Sequence, residues 1–281
     1  YSGRLSNDMS LVRGFSLFCV AALMGVAVSA SANPGWTGPG MTYVGQEIVD
    51  GVTQIEVTFP GPNGAVKAVL CMTDANGKRP AIVIAHDGEQ GLAGVKARAR
   101  DLARQGYVVL APGYAATSGA IGTTSAAPNA VQTLVDAGTV LAQHPNVYPN
   151  RMAIMGSSHG GHVAMLAAGQ DRDLFSCAVI ANPAIDVAAV SPVLKTTTLI
   201  QHGGKDQVSQ MSDARHLNYE IKKHGGASEL KEYTLLGHGF WFYGNSGHPS
   251  EIIAQANWAW DDATEYLDKK LTKGLPSVAS K

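Results

Sequence analysis

The chain has 281 residues, and its 21 Lys and Arg nearly balance 22 Asp and Glu, for a formal net charge of −1. With no block rich in Lys and Arg, it lacks the electrostatic footprint expected for nucleic acid or an anionic membrane surface. The expected partner is a small or neutral molecule.

The first element is a leader. From Met9 a basic stretch ending at Arg13 precedes an apolar run from Phe15 to Val28, and Ala30-Ser31-Ala32 follows before Asn33. A basic segment, a short apolar core and small residues at A-x-A make a secretory signal peptide. Cleavage is expected after Ala32, with Ala30 as the alternative. Residues 1–8 read as lying upstream of the start. Cys19 inside the apolar run lacks the small residue expected before a lipidated cysteine, so a periplasmic or secreted protein without stable membrane anchoring is predicted. The rest, 33–281, is about 250 residues, enough for one large domain.

Residues 33–51, rich in Gly and Pro, read as an irregular arm. The alternating runs Thr53 to Phe59 and Ala65 to Met72, separated by Pro60-Gly61-Pro62-Asn63-Gly64, predict an antiparallel hairpin at a sheet edge. From there apolar strands and helices alternate. Strands are predicted at Ala81 to Ala85, Tyr107 to Ala111, Arg151 to Met155, Cys177 to Ala181, Thr198 to His202 and Leu230 to Leu235. Helices are predicted at Val95 to Arg104, Asn129 to Gln143, Gly161 to Ala168, Asp213 to Lys223 and Ile252 to Leu271. This alternation implies an α/β fold with a largely parallel sheet covered on both faces. Residues 113–127, dominated by Gly, Ala, Ser and Thr, read as a loop. Cys71 and Cys177 lie in apolar strand-like runs, where a free cysteine behaves as a small hydrophobe, although an oxidising compartment would permit a bridge.

Between the Arg151 strand and the Gly161 helix stands Gly156-Ser157-Ser158-His159-Gly160, a G-x-S-x-G frame. A turn this tight holds its central residue in a strained conformation and presents the Ser158 hydroxyl to solvent, at the N–H-rich start of a helix. Ligands of open parallel sheets bind beyond the carboxyl ends of the strands. Two more loops there carry reactive groups: Asp206 in His202-Gly203-Gly204-Lys205-Asp206, and His238 in Leu236-Gly237-His238-Gly239-Phe240. The order Ser, Asp, His suits a nucleophile, a residue that orients the base, and a general base. His248 in Gly247-His248-Pro249 competes with His238, but only His238 directly follows a strand.

The oxyanion formed by attack at a carbonyl needs two donors. One is the N–H of His159; the other is expected from His86-Asp87-Gly88-Glu89-Gln90-Gly91, with Gly88 the candidate because glycine allows close backbone approach. Asp87 and Glu89 put negative charge near a developing oxyanion unless they point away. His159 and His162 stand one helical turn apart, but no third ligand has diagnostic spacing and no H-E-x-x-H occurs, so neither a metal nor another cofactor is expected.

The motifs G-S-S-H-G-G, H-G-G-K-D and G-H-G-F resemble those of the dienelactone hydrolase branch of the α/β-hydrolases, and are similar to the catalytic domain of prolyl-oligopeptidase-type peptidases. The resemblance runs from Thr53 to Leu271 and includes Tyr148-Pro149-Asn150-Arg151. It implies an α/β-hydrolase fold and a Ser158–His238–Asp206 triad, with Asp87 at the acidic position of dienelactone hydrolases and Gly88 at the oxyanion position. Those enzymes use a cysteine nucleophile where this chain has Ser158, which points to a serine esterase. No large cap is expected, since about fifteen residues join the Cys177 and Thr198 strands. Tyr114 and Trp241, each near a strand end, are candidate walls of the substrate cleft; packing of the Phe240-Trp241-Phe242-Tyr243 cluster under the last helix is the alternative. The predicted substrate is a small-molecule or polymer ester. A peptidase or amidase using the same residues, or an inactive hydrolase fold that only binds, are the other readings.

Overall fold

The structure is a computed structural model that describes residues 38–74, 77–87, 91–114, 128–184, 186–243 and 247–275. The predicted leader, Gly88, Glu89 and most of the loop predicted at 113–127 lie outside the described residues. The fold belongs to the compact unit Pro34–Lys281.

Nine strands form one sheet in the order β1-β2-β3-β5-β4-β6-β7-β8-β9. The first three, β1 (Thr42–Val49), β2 (Val52–Gly61) and β3 (Gly64–Met72), are antiparallel neighbours, and β3 meets β5 (Val108–Pro112) antiparallel. From β5 onward, β4 (Arg79–Ala85), β6 (Val147–Ser157), β7 (Cys177–Ala181), β8 (Thr197–Gly203) and β9 (Ser228–Tyr233) pair in parallel. Parallel neighbours need crossovers, which α1 (Gly91–Arg104), α2 (Pro128–Ala142), α3 (His159–Gln170) and α5 (Met211–Lys223) supply, with a single-turn α4 (Val187–Val190) between β7 and β8; α6 (Ser250–Leu271) follows the last strand.

Both faces of the sheet are buried, and the side-chain period of two assigns each residue to one. On β4, Ala81, Val83 and Ala85 join the layer of α2, α3, α4 and α5, while Ile82 and Ile84 join that of α1 and α6. All seven residues of β4 are buried, which explains the apolar run from Ala81 to Ala85 at its carboxyl end. Cys71 and Cys177 are free and buried among these strands, and burial pushes both thiols up to about 12.

The predicted arm at 33–51 is corrected over its described part. Thr42–Val49 is an edge strand that pairs with β2 through the turn Asp50-Gly51, with φ of 51° and 75°. Positive φ at both turn residues matches the twist of the flanking strands, and Asp-Gly adopts it readily. The strand leaves little signal in the sequence because it is mostly exposed and shows no clean apolar alternation. The predicted runs form the hairpin β2–β3, but β1 takes the sheet edge and leaves the hairpin one strand in. Strand β6 starts earlier than Arg151, and β9 ends at Tyr233, two residues before the predicted limit. Only residues 182–196 join β7 to β8, and among the described residues no helix is long and apolar enough to cross a membrane.

Candidate active site

At the carboxyl ends of the parallel strands three loops converge. Ser158 joins β6 to α3 with φ 55° and ψ −126°, a strained conformation costing about 1–3 kcal/mol. The flanking glycines are needed for space. A Cβ on Gly156 would come within 2.4 Å of the Gly160 carbonyl oxygen, and one on Gly160 within 2.4 Å of the His86 carbonyl oxygen. The turn is pinned by Ser158 N–H donating to the Ala181 carbonyl at 2.9 Å.

The Asp206 and His238 loops are locked together. Gly204 N–H donates to the Tyr233 carbonyl at 2.7 Å and Lys205 N–H to the Leu236 carbonyl at 2.8 Å, while a Cβ on Gly203 would meet the Leu236 oxygen at 2.3 Å. Glycine there lets the end of β8 press against the end of β9, which brings the next side chains together. His238 Nδ1 lies 2.8 Å from Asp206 Oδ2, and His238 Nε2 lies 2.8 Å from Ser158 Oγ. An ionised carboxylate only accepts, so Nδ1 carries the ring proton and Nε2 accepts from the serine hydroxyl. The Asp206 side chain is wholly buried and that of His238 is 22% exposed, so the base faces the cleft and the acid does not.

Burial works to raise the Asp206 pKa. The hydrogen bond from His238 and those from the backbone N–H groups of Ser209 and Val208 outweigh it, and hold the carboxyl well below the usual range. Both backbone bonds reach Oδ1, from Ser209 at 2.9 Å and Val208 at 2.8 Å. Asn182 Nδ2 and, at 3.0 Å, Ser209 Oγ donate to Oδ2. Neither residue was singled out from sequence; the available signal was their position just beyond the ends of β7 and β8.

His159 opens α3, where backbone N–H groups have no partner four residues back, so its N–H is free of the helix ladder. Gly88 lies outside the described residues, but the start of its turn is held against the elbow by the His86–Gly160 contact. His86 Nδ1–H donates to the Asp87 carbonyl at 2.7 Å, and Tyr114 N–H donates to His86 Nε2 at 3.3 Å. Burial pushes the His86 pKa down and keeps the ring neutral. Tyr114 stacks on His86 with ring centroids 4.0 Å apart, and both line a 750 Å³ cavity with Val66, Leu92 and Ala130.

Trp241 is corrected. It is 1% exposed, donates Nε1–H to Gln201 Oε1 at 2.8 Å and packs edge-on against Trp260, 5.6 Å between centroids. A buried indole whose only polar group is satisfied inside cannot form a cleft wall. His248 stacks on Tyr243 instead of entering the Ser158 line. Burial lowers His162 to about 4 and also pushes His159 down, and among the described residues no group of three His, Cys, Asp or Glu is arranged to hold a metal.

The model of the Dienelactone hydrolase family matches residues 66–271. An uncharacterized peptidase, YtmA, of Bacillus subtilis (strain 168) is 32% identical over 125 residues, which cover 39% of this chain and 49% of that protein. The match thus spans about half the length of that curated relative. A putative dienelactone hydrolase from Klebsiella pneumoniae superposes with a TM-score of 0.64 at 16% identity, covering 78% of this chain and 99% of the other. Esterase 2 of Thermogutta terrifontis, solved phosphorylated by paraoxon, superposes with a TM-score of 0.58 at 20% identity, covering 86% and 97%. The fold is therefore that of the α/β-hydrolases.

Proposed function

The chain belongs to the dienelactone hydrolase family, and from that premise we propose that it is a serine esterase that cleaves carboxylic esters through an acyl-enzyme. The observation that carries this reading is the unbroken line from Ser158 Oγ through His238 to Asp206, with 2.8 Å at each of its two contacts. Serine is a poor nucleophile near neutral pH unless a base takes its proton as it attacks. His238 Nε2 is placed to do so, and the buried Asp206 carboxylate stabilises the imidazolium that forms.

In the proposed reaction Ser158 Oγ bonds to the ester carbon and its proton moves to His238 Nε2. The carbonyl oxygen becomes an oxyanion held by the N–H groups of His159 and Gly88. The carbon–alkoxy bond then breaks, and the alcohol leaves with the proton from His238. Water attacks the acyl-enzyme with His238 again as base, which frees the acid and restores Ser158. The cavity beside Tyr114 supports acceptance of bulky esters, since it is lined by His86, whose backbone closely approaches Gly160 in the elbow. The order of basic, apolar and small residues from Met9 to Ala32 supports export to the periplasm or beyond, with a mature protein beginning at Asn33 as the result expected from N-terminal sequencing.

The match to a relative described as a peptidase favours one second reading, amide hydrolysis by the same residues. Turnover of p-nitrophenyl acyl esters against aminoacyl anilides separates the two: an esterase turns over the first class and leaves the second almost untouched.

A further inference from the structure

Strand β7 runs directly into Asn182, which the chemistry above does not use. Its φ is 43°, in the left-handed region that Asn enters more readily than most residues. It is wholly buried, and among the described residues its Oδ1 has no hydrogen-bond partner, a cost that native structures seldom carry without a reason. Its Nδ2 donates to Asp206 Oδ2, the oxygen that also faces His238. The carboxylate dictates this orientation of the amide, because turning it over would set Oδ1 against a negative oxygen.

The turn around Asn182 also grips the serine. Ser158 N–H donates to the Ala181 carbonyl at 2.9 Å, and Ala184 N–H donates to the Ser158 carbonyl at 3.3 Å. Asn182 N–H donates to the Gln201 carbonyl at 2.9 Å, on β8, the strand that leads to Asp206. One short stretch of chain thus touches both peptide groups of Ser158 with its backbone and Asp206 with a side chain.

The other donor on Oδ2 is less constant. Ser209 Oγ has one proton and three candidate acceptors: Asp206 Oδ2 at 3.0 Å, His202 Nε2 at 3.3 Å and the Asn182 carbonyl at 3.4 Å. His202 Nδ1 faces the Gly203 carbonyl at 3.0 Å, so in the neutral ring Nε2 is an acceptor that competes for that proton. Asn182 has no such competition. Among the described residues, the titratable groups around the carboxylate are His238, His202 and, from the segment that follows His238, Tyr243.

We propose that Asn182 is the positioning residue of this site: its backbone turn fixes Ser158, and its amide fixes the orientation of Asp206 and takes up part of its charge. The inference rests on the triad reading and names the device that sets the distance between its two ends. Substitution Asn182→Gly tests it, since glycine keeps the left-handed backbone and removes the amide. The expected result with p-nitrophenyl acetate is a kcat reduced about 10- to 100-fold, the range for loss of a hydrogen bond to a charged group, with KM within about twofold. The acid limb of the pH–kcat/KM profile should also move to higher pH. With one donor gone, more negative charge on Oδ2 faces His238 and favours the imidazolium, and a general base must be neutral. A purely structural defect would lower the active fraction and leave that limb in place.

A folded Asn182→Gly protein with wild-type kcat, or with an unmoved acid limb, overturns the proposal. Should that variant fail to fold, Asn182→Asp decides: Asp also enters the left-handed region, and a carboxylate in place of the donor moves the same limb in the same direction, so an unmoved limb overturns the proposal. Ser158→Ala run in parallel keeps the two ideas apart. Turnover that survives Ser158→Ala refutes the nucleophile, whereas a dead Ser158→Ala beside wild-type profiles in the other variants refutes only the role of Asn182.

Discussion

The indole Nε1–H of Trp241 donates to Gln201 Oε1 at 2.8 Å, which ties the segment just after His238 to the middle of β8. Gln201 in turn donates to the Tyr233 hydroxyl at 2.8 Å and to the Ala259 carbonyl at 2.6 Å, so the segment, β9 and α6 meet at one buried amide. Trp241→Phe removes a donor and leaves Gln201 Oε1 unpaired, at a cost of about 1–3 kcal/mol. Trp241→Ala adds a cavity and costs about 3–5 kcal/mol. Urea unfolding should show this ranking, while relative rates across p-nitrophenyl esters of different chain length stay as in the wild type. A change in chain-length preference would return Trp241 to the cleft wall.

Gly160→Ala places a Cβ against the backbone of His86, where nothing flexible can yield. The turn leading to Gly88 must move, so kcat should fall at least about 100-fold if that turn supplies an oxyanion donor. Gly45→Ala is the control, because a Cβ at Gly45 meets nothing within 4 Å. Its stability should stay within about 0.5 kcal/mol of wild type, and its activity should be unchanged.

The buried His162 ring makes stability depend on pH. Its folded pKa is about 4, below the ordinary histidine value of 6.5, because burial disfavours the charged ring. A group whose folded pKa is depressed contributes stability above its unfolded pKa and loses it as pH falls. The loss therefore begins near pH 6.5, continues to about 4, and amounts to about 3 kcal/mol. The Asp206 carboxyl has the same sign in a lower window, below the ordinary carboxylate range. Urea unfolding at pH 7, 5.5 and 4 should show a shallower decline in His162→Gln than in wild type; parallel declines would exclude His162 as the source.

The cavity beside Tyr114 yields a prediction about substrate size. Ala65 is exposed at the tip of the β2–β3 hairpin and lines the cavity mouth, so Ala65→Trp narrows it without disturbing the core. KM for p-nitrophenyl esters with bulky acyl groups should rise about tenfold, with the acetate changed less than about twofold. An equal effect on both would mean the cavity does not hold the acyl group.

Much of this architecture could be read from the chain. Val83 and Ile84 sit in an unbroken apolar run because β4 is covered on both faces, and the loops after such strands are where Ser158, Asp206 and His238 meet. Strand β1 was harder, since an exposed edge strand buries too little to impose a period of two, although Asp50-Gly51 carried a local hairpin signal. For Trp241 the sequence leaves both readings open, because an aromatic residue beside a site has the same sequence signature whether it faces the cleft or the core. Only the partners of its Nε1 tell the two apart. Asn182 and Ser209 left no motif: their contribution depends on three strand ends converging, and that juxtaposition exists only in three dimensions.

The central claim is that Ser158 is an activated nucleophile. A fluorophosphonate probe bonds covalently to such a serine and loses its fluoride, so mass spectrometry of the labelled protein is the most direct measurement. The account predicts one adduct on the peptide carrying Ser158, none in Ser158→Ala, and labelling slowed by at least about 1,000-fold in His238→Ala. Folded wild-type protein that takes up no probe, or that labels at another residue, would contradict it.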